Sequence, residues 1–205
     1  MLLCDIGNSN YHFLKKDEIF KKDAKFFNPS TVEEDVYYIC VNQHVKELLK
    51  PLKNWIDLSQ YIDIKKYYET MGIDRIMACE AIRDGVIVDA GSAVTVDIVK
   101  EGRFEGGFIY PGVRAMGECY KNISDALGYS FNFELDLDKM PKNSRDAISY
   151  GYIKLLHSEV KSHKMDIYLT GGDAAWFAKI FPTSHVDERL LFKGMKNIMK
   201  KADIC

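Results

Sequence analysis

Two short segments place an aspartate beside glycine and small polar residues: Asp5-Ile6-Gly7-Asn8-Ser9-Asn10 and Asp89-Ala90-Gly91-Ser92-Ala93. Each follows a short apolar run, Leu2–Cys4 or Val86–Val88. Each precedes a second β-like run, Tyr11–Leu14 or Val94–Val99. One copy reads adequately as a hairpin turn, since Asp, Gly and Asn are what a tight turn uses. The chemical reading is a phosphate cradle. Glycine lets the backbone approach an anion, and backbone N–H groups with Asn and Ser side chains donate to phosphate oxygens. An aspartate at the strand end holds Mg²⁺, usually through water. Repetition favours the cradle, because two such turns can grip one triphosphate. The usual nucleotide loops, G-x-x-x-x-G-K-[ST] and a strand-linked G-x-G-x-x-G, are absent from the sequence.

Three further segments carry candidate groups. Gly72-Ile73-Asp74-Arg75 opens a helix. Asp74 reads equally as an N-cap or as a general base, with the helix N-terminus favouring its carboxylate form. As a base it would take the proton of a substrate hydroxyl attacking a γ-phosphate. Leu169-Thr170-Gly171-Gly172-Asp173-Ala174 lies between a strand and a helix. It is either a glycine loop capped by Asp173 or a flat backbone surface for adenine or ribose. Asn143-Ser144-Arg145-Asp146-Ala147 starts another helix, with Ser144 as a candidate cap. Gly106–Gly112 joins a strand to a helix.

The elements that must position these groups follow an α/β rhythm. Apolar runs predict strands at Val36–Val41, near Trp55–Leu58, at Arg103–Tyr110 and at Asp166–Leu169. Helices are predicted at Gln43–Lys50, Arg75–Asp84 with Gly85 as its stop, from Val113, and at Arg145–Val160. Two more are predicted at Asp173–Phe181 and Arg189–Lys201. Because strand, D-x-G turn and strand occur twice, the chain divides into related halves, 1–84 and 85–205, and two lobes imply a ligand cleft.

Composition bounds the function. With 205 residues, the chain should bury ~70% of its unfolded surface without a disulfide or metal staple. Lys plus Arg is 28 and Asp plus Glu 30, a net charge of −2, which argues against broad binding to nucleic acid or anionic lipid. The lysine clusters Lys15–Lys16, Lys21–Lys22–Lys25 and Lys196–Lys200–Lys201 interleave with acids and read as solvated surface. No run approaches the ~18 apolar residues of a membrane helix. Asp5 interrupts the apolar start before a signal peptide can form. Five cysteines without C-x-x-C spacing read as free thiols in a reducing cytoplasm rather than a zinc site.

In this order the motifs resemble the type III pantothenate kinase family. The family patterns D-x-G-N-[TS], G-x-D-R, D-x-G-[TS]-A-x-T-x-D and G-G-x-I-x-P-G fall at Asp5–Ser9, Gly72–Arg75, Asp89–Asp97 and Gly106–Gly112. N-[TS]-x-x-A-[IL]-x-x-G and T-G-G-[DG]-[AG] fall at Asn143–Gly151 and Thr170–Ala174, and Leu191–Met195 resembles the start of the family's final helix.

The resemblance implies two ribonuclease-H-like domains of the actin-like ATPase fold around a nucleotide cleft. It implies ATP-dependent phosphorylation of pantothenate on its primary alcohol, the first step towards coenzyme A. The implied ATP-binding residues are Asp5, Ile6, Gly7, Asn8, Ser9, Asn10, Tyr11, His12 and Ser92, with Gly171 and Gly172 toward adenosine. Gly72, Ile73, Asp74 and Arg75 would contact pantothenate, with Asp74 as proton acceptor. Asp89 would hold a monovalent cation, K⁺ or NH₄⁺, and Asp5 would hold Mg²⁺ through water. Ser144 would reach pantothenate from the other chain of a homodimer.

Departures from the family pattern are specific. His12 stands where the family usually has Lys, and Ser92 and Ser144 stand for Thr. The proline after the family's substrate tyrosine is missing, which leaves that role to Tyr68 or Tyr67. The chain is shorter than most members. Two other functions compete with this one: phosphorylation of another small alcohol, and an ATP-binding accessory role in transcription without turnover. The second leaves Asp74 without a task.

Overall fold

The computed structural model describes residues 1–204. In chain order its first elements are β1 (Leu2–Ile6), β2 (Asn10–Lys15), β3 (Glu18–Asp23), β4 (Val36–Cys40), α1 (Gln43–Leu49), β5 (Trp55–Asp57) and α2 (Ile73–Glu80). Then follow β6 (Gly85–Ala90), β7 (Ala93–Lys100), β8 (Arg103–Pro111), α3 (Val113–Ile123), α4 (Ser144–Ser162), β9 (Ile167–Thr170), α5 (Ala174–Ile180), β10 (His185–Val186) and α6 (Leu190–Lys201).

The chain forms two units: residues 1–82 together with the segment from Arg189 onward, and residues 83–188. The first has a five-stranded sheet in the order β3-β2-β1-β4-β5. The β1–β2–β3 part is antiparallel, and β4 and β5 add in parallel. Alternation along β1 sends Leu2, Cys4 and Ile6 to one face, where they pack with Phe13, Val45 and Trp55. Leu3 faces the other way and joins Leu14, Leu58, Met77, Phe192, Met195 and Met199. Asp5, two residues on, lies on that same face, toward α2 and α6.

The second unit repeats the plan, with strand order β8-β7-β6-β9-β10. Here β6 pairs antiparallel with β7 and parallel with β9. Val86, Val88 and Ala90 pack with Tyr152 and Leu156 of α4 and Phe177 of α5. Ile87 and Asp89 alternate to the opposite face.

The boundary lies two residues from the expected one, but the C-terminal helix belongs to the first unit rather than the second. Its apolar stripe, Phe192, Met195, Ile198 and Met199, closes the core over β1 and α2. The two helices touch at the backbone, since a Cβ on Gly194 would lie 1.8 Å from the Met77 carbonyl oxygen. Two local expectations also change. Helix α2 ends at the C-cap Ala81, so Gly85 is not its stop but the first residue of β6. The lysine-rich segment after β2 contains an edge strand, β3, whose exposed charges discourage pairing with another chain. Cys4, Cys40 and Cys79 are buried thiols and Cys119 is exposed; Cys205 lies outside the described residues.

Candidate active site

The first D-x-G turn crosses from β1 to β2. The Gly7 N–H donates to the Asn10 carbonyl at 2.9 Å, and Asn42 Nδ2 donates to the Asn8 carbonyl at 3.3 Å. These bonds hold the backbone while the Asn8 and Ser9 side chains remain exposed. Ile6 and Tyr11, expected to line ATP, have side chains buried in the core, so only their backbone is available to a ligand. Burial pushes the Tyr11 hydroxyl up to about 12, with Cys4 and Cys40 adding to the shift.

Asp5, His12 and Lys21 stand directly opposite one another across β1, β2 and β3. Such cross-strand partners share a sheet face. His12 Nδ1 is 3.8 Å from Asp5 Oδ2. Burial first, then the Lys21 ammonium, lowers the pKa of His12, so its imidazole is neutral at pH 7.

Helix α2 begins at Ile73, and its N-cap is Gly72, which offers no side-chain bond. Asp74 is therefore the second helical residue and not the cap. Its Oδ1 accepts the Arg75 N–H at 2.8 Å, and the side chain is half-buried. Arg75 is buried and donates to the Tyr68 hydroxyl, with its guanidinium carbon 5.7 Å from the Tyr68 ring centre. Tyr67 instead donates to Glu80 Oε1 at 2.9 Å, at the other end of α2. Of the two tyrosines left open by the sequence, Tyr68 is the one beside the Gly72–Arg75 motif.

In the second unit the corresponding turn crosses from β6 to β7. The Gly91 N–H donates to the Ala93 carbonyl at 3.0 Å, and Ser92 is exposed. Gly112 explains the end of the Gly106–Gly112 motif, because a Cβ there would lie 2.4 Å from the Gly91 and Ser92 carbonyl oxygens. Gly171 adopts φ +89°, open to glycine, and a Cβ there would lie 2.4 Å from Asp89 Oδ1. The Asp173 N–H donates to the Ala90 carbonyl at 2.9 Å. The glycine loop is thus fastened beside Asp89, with Gly171 and Gly172 exposed. Desolvation raises the pKa of the Asp173 carboxyl.

Thr95 stands directly opposite Asp89. Its hydroxyl oxygen is buried and has no hydrogen-bond partner among the described residues. Thr95 is the fixed threonine of the pattern at Asp89–Asp97, a position to which the sequence alone assigns no role. At α4 the cap is Asn143, whose side chain accepts the Asp146 N–H at 2.9 Å. Ser144 is the first helical residue, exposed and not the cap. Hydrogen bonds from Asn132 and Asn143 lower the pKa of Asp146. A pocket of about 430 Å³ in this unit, lined by Tyr129, Phe131, Phe133, Arg145 and Trp176 among others, is a feature the motifs did not anticipate.

Two units of this strand order, each with a D-x-G turn between its first strands, define an actin-like ATPase fold. A Sinorhizobium meliloti structure described as a 2-dehydro-3-deoxygalactonokinase shares the fold, with TM-score 0.56, 9% identity and 98% of each chain covered. A Campylobacter jejuni structure described as a Baf family transcriptional activator matches 100% of both chains, with TM-score 0.87 and 42% identity. The type III pantothenate kinase family profile matches residues 30–164. A Sulfurimonas denitrificans protein named type III pantothenate kinase is 70% identical over 205 residues, covering 100% of both chains. The chain belongs to the type III pantothenate kinase family.

Proposed function

We propose that this kinase transfers the γ-phosphoryl group of ATP to the primary hydroxyl of pantothenate, giving 4′-phosphopantothenate and ADP, with Asp74 as general base. The observation that supports the base most directly is at the start of α2. Gly72 occupies the cap, so the Asp74 carboxylate is not spent on capping and has an oxygen beyond the one bonded to the Arg75 N–H. It takes the alcohol proton as the oxygen attacks phosphorus, and ADP leaves with the bond to the γ-phosphoryl group.

The turn at Asp5–His12 and Ser92 of the second turn serve the ATP phosphates, and Gly171–Gly172 serves adenosine. Tyr68, Gly72, Ile73 and Arg75 bind pantothenate, with Ser144 contributed by the second protomer of a homodimer. The exposed hydroxyl of Ser144, free of a capping role, suits that contribution.

No group of three or more His, Cys, Asp or Glu side chains suited to a metal occurs among the described residues. Mg²⁺ is therefore assigned chiefly to the ATP phosphates, with Asp5 reaching it through water. At the second turn the Asp89 carboxylate and the unpartnered Thr95 hydroxyl are hard oxygen donors of the kind K⁺ or NH₄⁺ accepts. A cation there would neutralise the Asp89 charge beside the triphosphate.

The deciding measurement is ADP release from the purified protein, with and without pantothenate and K⁺. Release that depends on pantothenate supports the assignment. Release with a different alcohol moves the substrate. The transcriptional description of the 42% identical Campylobacter jejuni structure motivates a rival accessory role. Tight ATP binding with no alcohol-dependent turnover would favour that role. Among the described residues no helix is long and apolar enough to cross a membrane.

A further inference from the structure

Glu80, the last residue of α2, is a nearly buried carboxylate, its side chain 8% exposed. It sits at the meeting point of three segments of the first unit. The Tyr67 hydroxyl donates to its Oε1 at 2.9 Å, and the Lys201 ammonium of α6 donates to its Oε2. Asn197 Nδ2, also from α6, donates to its backbone carbonyl at 2.9 Å. Lys201 is solvated, as the sequence predicts, with its side chain 59% exposed, and its ammonium also makes this contact. A nearly buried carboxylate needs such partners, since an uncompensated charge there is costly. Burial, reinforced by Glu80, raises the pKa of the Tyr67 hydroxyl, which stays protonated and able to donate.

The adjacent residue gives this cluster a second meaning. Between the short turn at Ile64–Lys66 and the start of α2, the chain has no helix or strand to hold it. Tyr67 and Tyr68 reach opposite ends of the same helix: Tyr67 to Glu80, and Tyr68 to Arg75. Among its backbone bonds, the Tyr67 N–H donates to the Ile64 carbonyl at 3.0 Å and the Met71 N–H to the Tyr68 carbonyl at 3.0 Å. Both bonds are local and neither fixes it to α2. The Tyr67 hydroxyl is a bond that does.

We infer that Tyr67, Glu80 and Lys201 form a positioning brace that holds Tyr68 against Arg75 and so shapes the site for the substrate alcohol. The inference rests on the assignment of Tyr68 and Arg75 to pantothenate. None of the three residues need touch substrate, since Glu80 and Lys201 act through Tyr67, and Tyr67 acts through the chain direction it imposes on Tyr68.

The test uses the full-length enzyme and four readouts: KM for pantothenate, kcat, Kd for ATP by titration calorimetry, and Tm. Tyr67→Phe should raise KM for pantothenate about ten-fold, because Tyr68 is then no longer pre-organised against Arg75 before substrate binds. It should leave kcat and Kd for ATP within about two-fold. Glu80→Gln should shift KM in the same direction. The double variant should be no worse than the poorer single one, because both act through one contact. Should Tyr67→Phe fail to fold, Lys201→Met tests the same brace from α6. A lowered Tm with unchanged KM would reduce the cluster to a structural contact and overturn the inference. Tyr68→Phe and Arg75→Lys separate the two levels. If they raise KM while the brace variants do not, only the brace is wrong. If they also leave KM unchanged, the pantothenate assignment fails and the brace with it.

Discussion

The two D-x-G turns occupy the same place in the same sheet plan, yet the strands beside their aspartates carry different side chains. The first spans four residues between the paired Ile6 and Tyr11, the second three between Ala90 and Val94. Across from Asp5 stand His12 and then Lys21, a neutral base and a cation. Across from Asp89 stand Thr95 and then Ile109, a hydroxyl and a hydrocarbon. In the cross-strand row the first unit sets a cationic side chain two strands from its aspartate, and the second sets a hydroxyl and then an apolar side chain. The same sheet plan thus carries two different polar settings for its strand-end aspartate. In the function proposed above, the first turn would meet Mg²⁺ through water at Asp5, and the second a monovalent cation at Asp89.

The sharpest way to break this comparison is to remove the proposed general base from the first unit. Asp74→Asn keeps size and polarity but not basicity. Loss of a general base typically costs roughly 10²–10⁴-fold in rate. Because Gly72, and not Asp74, is the cap, the variant should retain its Tm to within about 2 °C, the scale of a weak surface change. Near wild-type kcat in a folded Asp74→Asn enzyme would remove Asp74 from the role of base.

The second unit is probed through the cation proposed at Asp89. Activity should be low in Na⁺ or Tris with Mg²⁺ alone and should return with K⁺ or NH₄⁺. Thr95→Val then separates ligand from filler. Replacing a buried, unpartnered hydroxyl by an isosteric methyl is neutral or stabilising for the fold. At the same time it should raise the K⁺ concentration needed for half-maximal rate, by about ten-fold for one lost charge-assisted contact. An unchanged K⁺ requirement would take Thr95 out of the cation site. Equal rates with and without K⁺ would take Asp89 out as well.

Ser144→Ala is expected to be milder. A capping serine would cost about 1 kcal/mol on truncation, but Asn143 does the capping here. Little change in Tm with a several-fold rise in KM for pantothenate fits a hydroxyl reaching a partner's site. Mixed dimers of Asp74→Asn chains with chains disrupted at Ser144 should regain one intact site. After verified subunit exchange, failure to regain activity would confine Ser144 to its own chain.

Much of this arrangement was legible in the sequence, because turns and strands leave strong local marks. The D-x-G segments between β runs identified both hairpins, and the repeat anticipated two sheets of one plan. What stayed hidden depended on partners distant in sequence or on single-residue offsets. The stripe of α6 announces an apolar face but not which core receives it. The charges of Glu18–Asp23 hide an edge strand because one side of it faces solvent. Asp74 and Ser144 are good capping types, yet Gly72 and Asn143 take those positions. The unpartnered hydroxyl of Thr95 and the grip of Glu80 on Tyr67 exist only once strands and helices are assembled.

The smallest expected effect compares one histidine in each unit. His12 lies between Asp5 and Lys21, and His157 stacks on Phe181 with ring centres 5.3 Å apart. Burial is the leading cause that lowers both pKa values, and flanking lysines lower them further. A histidine whose folded pKa lies below its unfolded value of about 6.5 binds protons more readily when unfolded. Its contribution to stability is therefore full above that value and is lost as pH falls below it, toward the folded pKa. The native carboxylates with lowered pKa values, such as Asp146, lose their contribution only at lower pH, so the two windows separate. Between pH 7 and 5.5 the wild-type Tm should decline, and His12→Asn and His157→Asn should each flatten that decline by about 1–2 °C. The effect is small because both rings are partly solvated. If His157→Asn flattens the curve and His12→Asn does not, the Asp5 carboxylate holds the His12 pKa near its ordinary value. The first turn would then carry a titrating cation close to neutral pH, and the contrast in charge between the two turns would widen as pH falls.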